Sequence, residues 1–402
     1  MAKKMISPRR CIAVSEAFVL YLLTGAACLI LGSSLPQLIR HFNSELAAVA
    51  ALGSAFALGR VATVFFMGRL TEKTGPKWVV GIGLLLLFCF FAGVSLARSV
   101  KMAMIFSVLG GIGMGVQDTA CPVIFIRAFP VHYPGAMSVG QAFFGAGCFM
   151  PSLLLGFILK RGLPFLHVYH FFAGLCALML LLWIFMEPEK DASGDPHAAP
   201  EEGGKASGSR WLLFALICVF YCAVTNTISL YTTSYGILLG FLPEQAVFLL
   251  TFYNTGSMLG SLLFSAVMRK IRPVNLLCIN LGTALLFFFS LFFIRRFIPL
   301  VISYFFAGFG LGVLFSALIL IAVDLYSGRA GRAGALTAVV CGGADIITPL
   351  VTGALITVCG ISANLWFVRG ALTLALTASL VFRFVHEKPR RMYGYSIQKC
   401  AK

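Results

Sequence analysis

The sequence predicts an all-α polytopic membrane protein of twelve transmembrane helices in two pseudo-symmetric six-helix bundles. Three observations carry this. The 402 residues are 59% hydrophobic and only 11% charged, whereas soluble domains sit near half apolar and about a quarter charged. The excess recurs along the whole chain in uncharged runs close to the roughly 20 residues that a helix needs to cross hydrocarbon. Short segments in the first half also return in the second at a nearly constant offset. Lipid admits only helices or closed barrels, and the short alternating strands of a barrel are missing from the pattern.

The spans fall near 11–37, 44–67, 78–97, 102–126, 134–159, 164–186, 211–240, 245–268, 274–294, 298–324, 333–357 and 362–384. The opening "MAKKMISPRRCIAVSEAFVLYLLTGAACLILG" places bases before a run too long for a cleaved signal core, so it reads as a retained first helix. Between the sixth and seventh spans lies "EPEKDASGDPHAAPEEGGKASGSR". That composition cannot bury a core and predicts a flexible linker. The expected organisation is a bundle at 1–186, a cytoplasmic linker at 187–210 and a bundle with a short basic tail at 211–402.

Charge sets the expected orientation. With the amino terminus in the cytoplasm, 22 Lys/Arg fall on the cytoplasmic side, counting Arg383 at the edge of the last span, and 7 in external loops. The positive-inside rule therefore puts both termini and the linker in the cytoplasm. The same rule accounts for the net charge of +17 without nucleic acid. The twelve cysteines lie mostly inside apolar runs, with no CxxC pair. Cys218 and Cys222 share a helical face without a His or acid beside them in sequence, so neither a disulfide framework nor a metal site is expected.

Four segment pairs suggest an internal repeat: "YLLTGA" with "YCAVTN", Gly59 with Gly260, "GIGMG" at Gly111 with "GFGLG" at Gly308, and Pro151 with Pro349. A repeated six-helix unit is characteristic of transporters whose site lies between two bundles. The glycine clusters lack a preceding strand and a GKS/GKT ending, which excludes a nucleotide loop and favours close helix packing. No cofactor is expected.

Between the second and third spans, "GRLTEKTGPK" carries Gly68, Leu70, Glu72, Lys73, Gly75 and Lys77. This resembles the loop signature of the major facilitator superfamily, Gly-x-Leu-x-Asp-Arg/Lys-x-Gly-Arg/Lys-Arg/Lys. It departs at Glu72, where the family has Asp, and at Pro76, where it has a base. "GIGMGVQDTACPVIFIRAFP" and "GAMSVGQAFFGAGCFMPSLL" resemble a branch of bacterial inner-membrane permeases with a fucose-permease-like character, which has an Arg where Arg60 stands and an Asp and a Pro at Asp118 and Pro122. The resemblance implies the major facilitator fold. It also implies a cytoplasmic gate in which Glu72 faces the start of the eleventh span near Arg332.

Ionisable groups inside a membrane cost about 2.5–3.5 kcal/mol on insertion scales, so each one requires an account. Arg60 and Asp118 lie at similar depths and read either as a structural ion pair or as a proton-coupling acid with its modulating base. Asp345, in "CGGADIITP", has no base near it in sequence and reads as a lone acid, a second coupling candidate. Glu16 reads as a helix-start acid and Arg369 as a snorkelling or structural base. The seventh span is polar, and Tyr221, Thr225, Ser229 and Thr232 follow +4, +4, +3 spacing, which predicts one shared face toward a substrate. Asn226, Asn254, Gln117 and Gln141 extend the candidates.

The expected function is a secondary active transporter of the inner membrane. It would move a small-molecule substrate by rocking its bundles, acting as a monomer with protons and the lipid bilayer as its other partners. A multidrug/proton antiporter is the alternative, and a transporter-like sensor a more distant one. No nucleophile motif, paired catalytic acids or histidine cluster indicates an enzyme.

Overall fold

The computed structural model of the chain describes residues 8–129, 133–185, 208–267, 271–325 and 330–386, without the side chains of 8–11, 64–69, 71–73, 122, 126–127, 133–135, 137–138, 141, 264–267, 316, 323–324, 330–336 and 338. Regular structure among the described residues is helical. The helices are α1 (Pro8–Ser33), α2 (Leu35–Phe42), α3 (Leu46–Thr74), α4 (Pro76–Leu96), α5 (Val100–Ala128), α6 (Tyr133–Lys160) and α7 (Leu166–Trp183) in the first half. The second half contains α8 (Gly208–Leu238), α9 (Pro243–Val267), α10 (Pro273–Ser290), α11 (Phe297–Leu311), α12 (Leu314–Leu325), α13 (Ala330–Cys359) and α14 (Ala363–His386).

Eleven of these helices are long and apolar enough to cross a membrane. The expected tenth span is divided: α11 and α12 meet at Gly312 and Val313. Glycine is the weakest helix former after proline, and this segment uses its glycines for contact with α9. The first span also ends earlier than the expected residue 37. Ser34 interrupts it, and Pro36 near the start of the next turn begins a separate short helix, α2. α2 buries Leu35 and Leu38 while leaving Arg40 exposed.

The internal repeat is visible at backbone contacts. A Cβ on Gly59 would collide with the Val108 carbonyl, and one on Gly260, 201 positions later, would collide with the carbonyl of Phe309, 201 positions after Val108. Gly111 approaches the Phe56 carbonyl as Gly312 approaches that of Ser257, again at an offset of 201. The crossing of α3 with α5 is therefore repeated by that of α9 with α11. One correction to the sequence pairing follows: Gly111 corresponds to Gly312, one helical turn beyond Gly308. Where lipid is the solvent, such contacts hold helices together by van der Waals packing, because there is no water to expel.

Each half has its own core. Tyr21, Phe90, Phe91, Phe125 and Phe172 are buried in the first, and Phe214, Tyr235, Phe288, Tyr304 and Phe382 in the second. Between the halves, α3 packs on α13, α6 on α9 and α1 on α8. Ala47 lies against Gly353, and the rings of Phe157 and Phe248 are 5.9 Å apart. A Cβ on Gly32 would collide with the Ser229 carbonyl. All three contacts lie toward the end away from Pro8 and His386, so the bundles are closed there.

Candidate functional site

Midway along the interface, α3 presents Arg60 and α5 presents Asp118. The Arg60 Nε donates to Asp118 Oδ2 at 2.9 Å. This pair lies within one half and joins two helices already in backbone contact through Gly59 and Gly111. The same guanidinium reaches the other half, with Nη1 3.9 Å from Asp345 Oδ2 on α13. Asp345 is therefore not a lone acid. Its base lies 285 positions earlier, beyond the reach of any local pattern. All three side chains are more than two-thirds covered.

The second oxygen of Asp345 is held from α8, where Asn226 Nδ2 donates to Oδ1 at 2.6 Å. The Cys222 thiol lies beside this carboxylate, and Cys341 of α13 lies beside both Cys218 and Cys222. The acid companion that the Cys218–Cys222 face lacks in sequence thus arrives from α13. Among the described residues no group of three side chains is arranged to hold a metal ion.

The repeat explains why α13 has room for a carboxylate. Pro349 follows Pro151 by 198 positions, and the same offset matches Asp345 to Gly147. In the first half a Cβ on Gly147 would collide with the Leu22 carbonyl, so α1 and α6 touch backbone to backbone. In the second half the equivalent crossing carries Asp345 against Cys222 and Asn226 instead. A packing contact has been exchanged for a polar one, at the one end of the Arg60 bridge that spans the bundles.

A cavity of about 50 Å³ opens beside this cluster, lined by Cys28, Phe56, Arg60, Asn226, Ser229 and Asp345 among others. A water needs on the order of 10–15 Å³ by this measure, so the space suits a few waters. Small-molecule sites run to hundreds of cubic ångströms. The cavity as it stands is smaller than such a site. Gly53 closes one wall, since a Cβ there would lie 3.6 Å from both Leu230 and Pro349.

The remaining candidates divide. Ser229 lines the cavity beside Asn226. Thr225 turns its hydroxyl back to the Tyr221 and Cys222 carbonyls of its own helix. Thr232 bonds the Ile228 carbonyl and lies beside Tyr304 inside the second bundle. Tyr221 does not border the cavity. Of the four positions expected on one face, Ser229 borders the cavity, and the Thr225 and Thr232 hydroxyls bond carbonyls of their own helix. Gln117 is buried and accepts from Thr24 at 3.0 Å, tying α5 to α1 rather than lining the cavity. Asn254 donates to the Cys148 carbonyl at 3.2 Å, a link from α9 to α6 across the interface. Cys28, Phe56 and Gly53 border the cavity without any sequence signal that separates them from packing residues.

In the expected gate, Gly75 has φ +82 and begins α4, the left-handed turn that favours glycine. Lys77 sits 5.4 Å over the Trp183 ring and 6.0 Å over Trp78, while Trp183 Nε1 donates to the Lys77 carbonyl. The side chains of Glu72, Lys73 and Arg332, together with Gly68 and Gln141, lie outside the described residues.

Known proteins share this architecture. The chain is 24% identical over 387 residues to the uncharacterized MFS-type transporter YfkL of Bacillus subtilis (strain 168), covering 93% of this chain and 96% of that one. It is 24% identical over 271 residues to the inner membrane transport protein YdiN of Escherichia coli (strain K12), covering 65% and 64%. The crystal structure of a D-xylose-proton symporter superposes with a TM-score of 0.74 at 16% identity, over 92% of this chain and 97% of that one, which establishes likeness of fold. Residues 17–344 match the Major Facilitator Superfamily; with most of its length matched, the chain belongs to that superfamily of multi-pass membrane transporters.

Proposed function

We propose that this protein is a secondary active transporter of a small organic solute, working by alternating access and coupled to protons. The observation that carries the reading is Arg60 held between Asp118 of its own bundle and Asp345 of the other. Two carboxylates compete for one guanidinium across the surface that must open. Protonating Asp345 would weaken its hold on Arg60, while Arg60 keeps the closer partner, Asp118. Proton binding and parting of the bundles would then be linked through one contact. The solute would enter where Asn226 and Ser229 line the cavity.

The reading extends to orientation and organisation. Both termini lie in the cytoplasm of a cell whose inner membrane holds the protein, in keeping with the charge bias. Bundles at 1–186 and 211–402 rock as units about a linker at 187–210, and the protein acts as a monomer. Glu72 and Arg332 form the cytoplasmic latch.

The excess of acid over base at the cluster favours one rival, export of organic cations in exchange for protons. Uptake into proteoliposomes with an imposed pH gradient tests the main reading, using a solute identified by thermal stabilisation of the purified protein. Accumulation that rises with an inward proton gradient supports it. Accumulation indifferent to the gradient removes the coupling, and a drug-susceptibility panel on a deletion strain separates export from uptake.

A further inference from the structure

Arg369 has a setting unlike that of the other described intramembrane base. Its guanidinium carbon lies 4.6 Å from the ring centroids of both Phe289 and Phe292 and 4.9 Å from that of Trp366. Among the described residues it has no ion-pair partner. The rings cover the faces of the guanidinium, which leaves the donors in its plane unspent; an arginine has five. Cation–π attraction therefore stabilises the charge without satisfying its hydrogen bonds.

The place of this cluster identifies what surrounds it. Arg369 lies six residues after Ala363, about 9 Å along the helix at 1.5 Å per residue. Helical side chains lean toward the amino-terminal end, so this one leans toward the membrane surface nearer Ala363 and snorkels there. α10 ends at the same level, at Ser290. Trp366 is 61% and Phe293 75% exposed on the outer perimeter, away from the cavity between the bundles. The stretches 289–299 and 360–370 carry Arg295, Arg296 and Arg369 with no Asp or Glu, and Arg295 and Arg296 are exposed.

We propose that this corner of α10 and α14 is a binding site for the headgroup phosphate of an anionic phospholipid. The in-plane donors of Arg369 would grip two phosphate oxygens, the fork geometry that arginine offers to phosphate. Phe289 and Trp366 provide the apolar bed for the glycerol and upper acyl chain, an arrangement suited to aromatics at a membrane interface. Arg295 and Arg296 supply the field that selects a negative headgroup over a zwitterionic one. The site is remote from the solute cavity and does not depend on which solute is carried.

Trp366 serves as the reporter. Its emission is isolated as the difference between the full-length protein and Trp366→Phe, both in phosphatidylcholine bilayers. Equal mole fractions of brominated phosphatidylglycerol or brominated phosphatidylcholine are then added as quenchers. Quenching by the anionic lipid is expected to be at least about fivefold stronger, the order set by one basic residue near an anionic surface, and to fall severalfold in Arg369→Gln, to the residual preference that Arg295 and Arg296 give. Should that variant not fold, Arg369→Lys, which keeps the charge and loses the fork, is expected to show a reduced preference. Equal quenching by the two lipids in the parent protein would overturn the assignment. So would a full preference retained in either variant.

Discussion

Arg60 on α3 and Asp345 on α13 meet at 3.9 Å across the boundary between the two bundles, and Arg60 is simultaneously bonded at 2.9 Å to Asp118. The difference between the two distances assigns different work to the two acids. The shorter pair is within one bundle and, under the proposed alternating access, would stay together as the bundles part. The longer one would break.

Removing the shared base should therefore be the most damaging single change. Arg60→Gln leaves two carboxylates facing each other in a largely covered site, and losing one partner of a buried pair costs about 3–5 kcal/mol. The thermal midpoint of the purified protein should fall by several degrees, and transport should be lost. In Arg60→Gln with Asp118→Asn, which leaves one carboxylate, held by Asn226, where there were two, much of the stability should return while transport stays absent. Thermal unfolding and uptake assays on the same preparations separate the two effects.

Asp345→Asn should behave differently. The amide keeps the size of the side chain and its place beside Asn226, and at 3.9 Å the contact to Arg60 is beyond hydrogen-bond reach. Stability should barely change. Proton-driven accumulation should be abolished, whereas exchange of labelled for unlabelled solute at equal pH should persist. Loss of both activities together would show that Asp345 is needed for solute binding rather than for coupling.

The repeated helix crossings predict matched costs. Gly111→Ala drives a methyl into the Phe56 carbonyl, and Gly312→Ala drives one into that of Ser257. Overpacking of this kind costs about 1–3 kcal/mol, and the two variants should agree within that range. Gly282→Ala, where a Cβ meets nothing within 4 Å, should be neutral or slightly stabilising through helix propensity. Thermal unfolding of the three variants side by side decides the point.

These glycines also mark how far the sequence could be read. The spans were legible because lipid imposes length and polarity on every helix, and the repeat was legible because both halves meet the same packing demands. Its register was not legible at α11, where GFGLG offers glycines at successive turns and either fits a close crossing. The division between α11 and α12 leaves no mark in hydropathy, since both pieces are apolar. In the site, the Arg60–Asp118 pair could be anticipated from equal depth on two helices of one bundle. The third member could not, because nothing local in "CGGADIITP" points to an arginine 285 positions earlier. The polar face of α8 is less telling for a related reason: a helical hydroxyl can be satisfied by the carbonyl one turn back, as those of Thr225 and Thr232 are.

The loop between α3 and α4 supplies the last prediction. Gly75 turns the chain in a left-handed conformation, and Lys77 is engaged with Trp78 and Trp183 inside the first bundle. Of the charged residues in the signature, Lys77 thus stabilises its own bundle, through α4 and α7. In the proposed latch, contact with the other bundle would fall to Glu72, because a carboxylate is favoured near a helix amino terminus and a base, here the start of α13 and Arg332. Such a latch acts on the rate of interconversion and leaves the solute site untouched. Glu72→Ala should lower turnover by several-fold with little change in half-saturating solute concentration, while Glu72→Asp, which restores the residue of the family signature, should keep most of the activity. Lys77→Ala should instead lower the thermal midpoint by loosening α4 from Trp183. Initial-rate measurements in proteoliposomes for the two Glu72 variants, with unfolding curves for the Lys77 variant, distinguish latch from scaffold; unchanged turnover in Glu72→Ala would leave the loop as a connector alone.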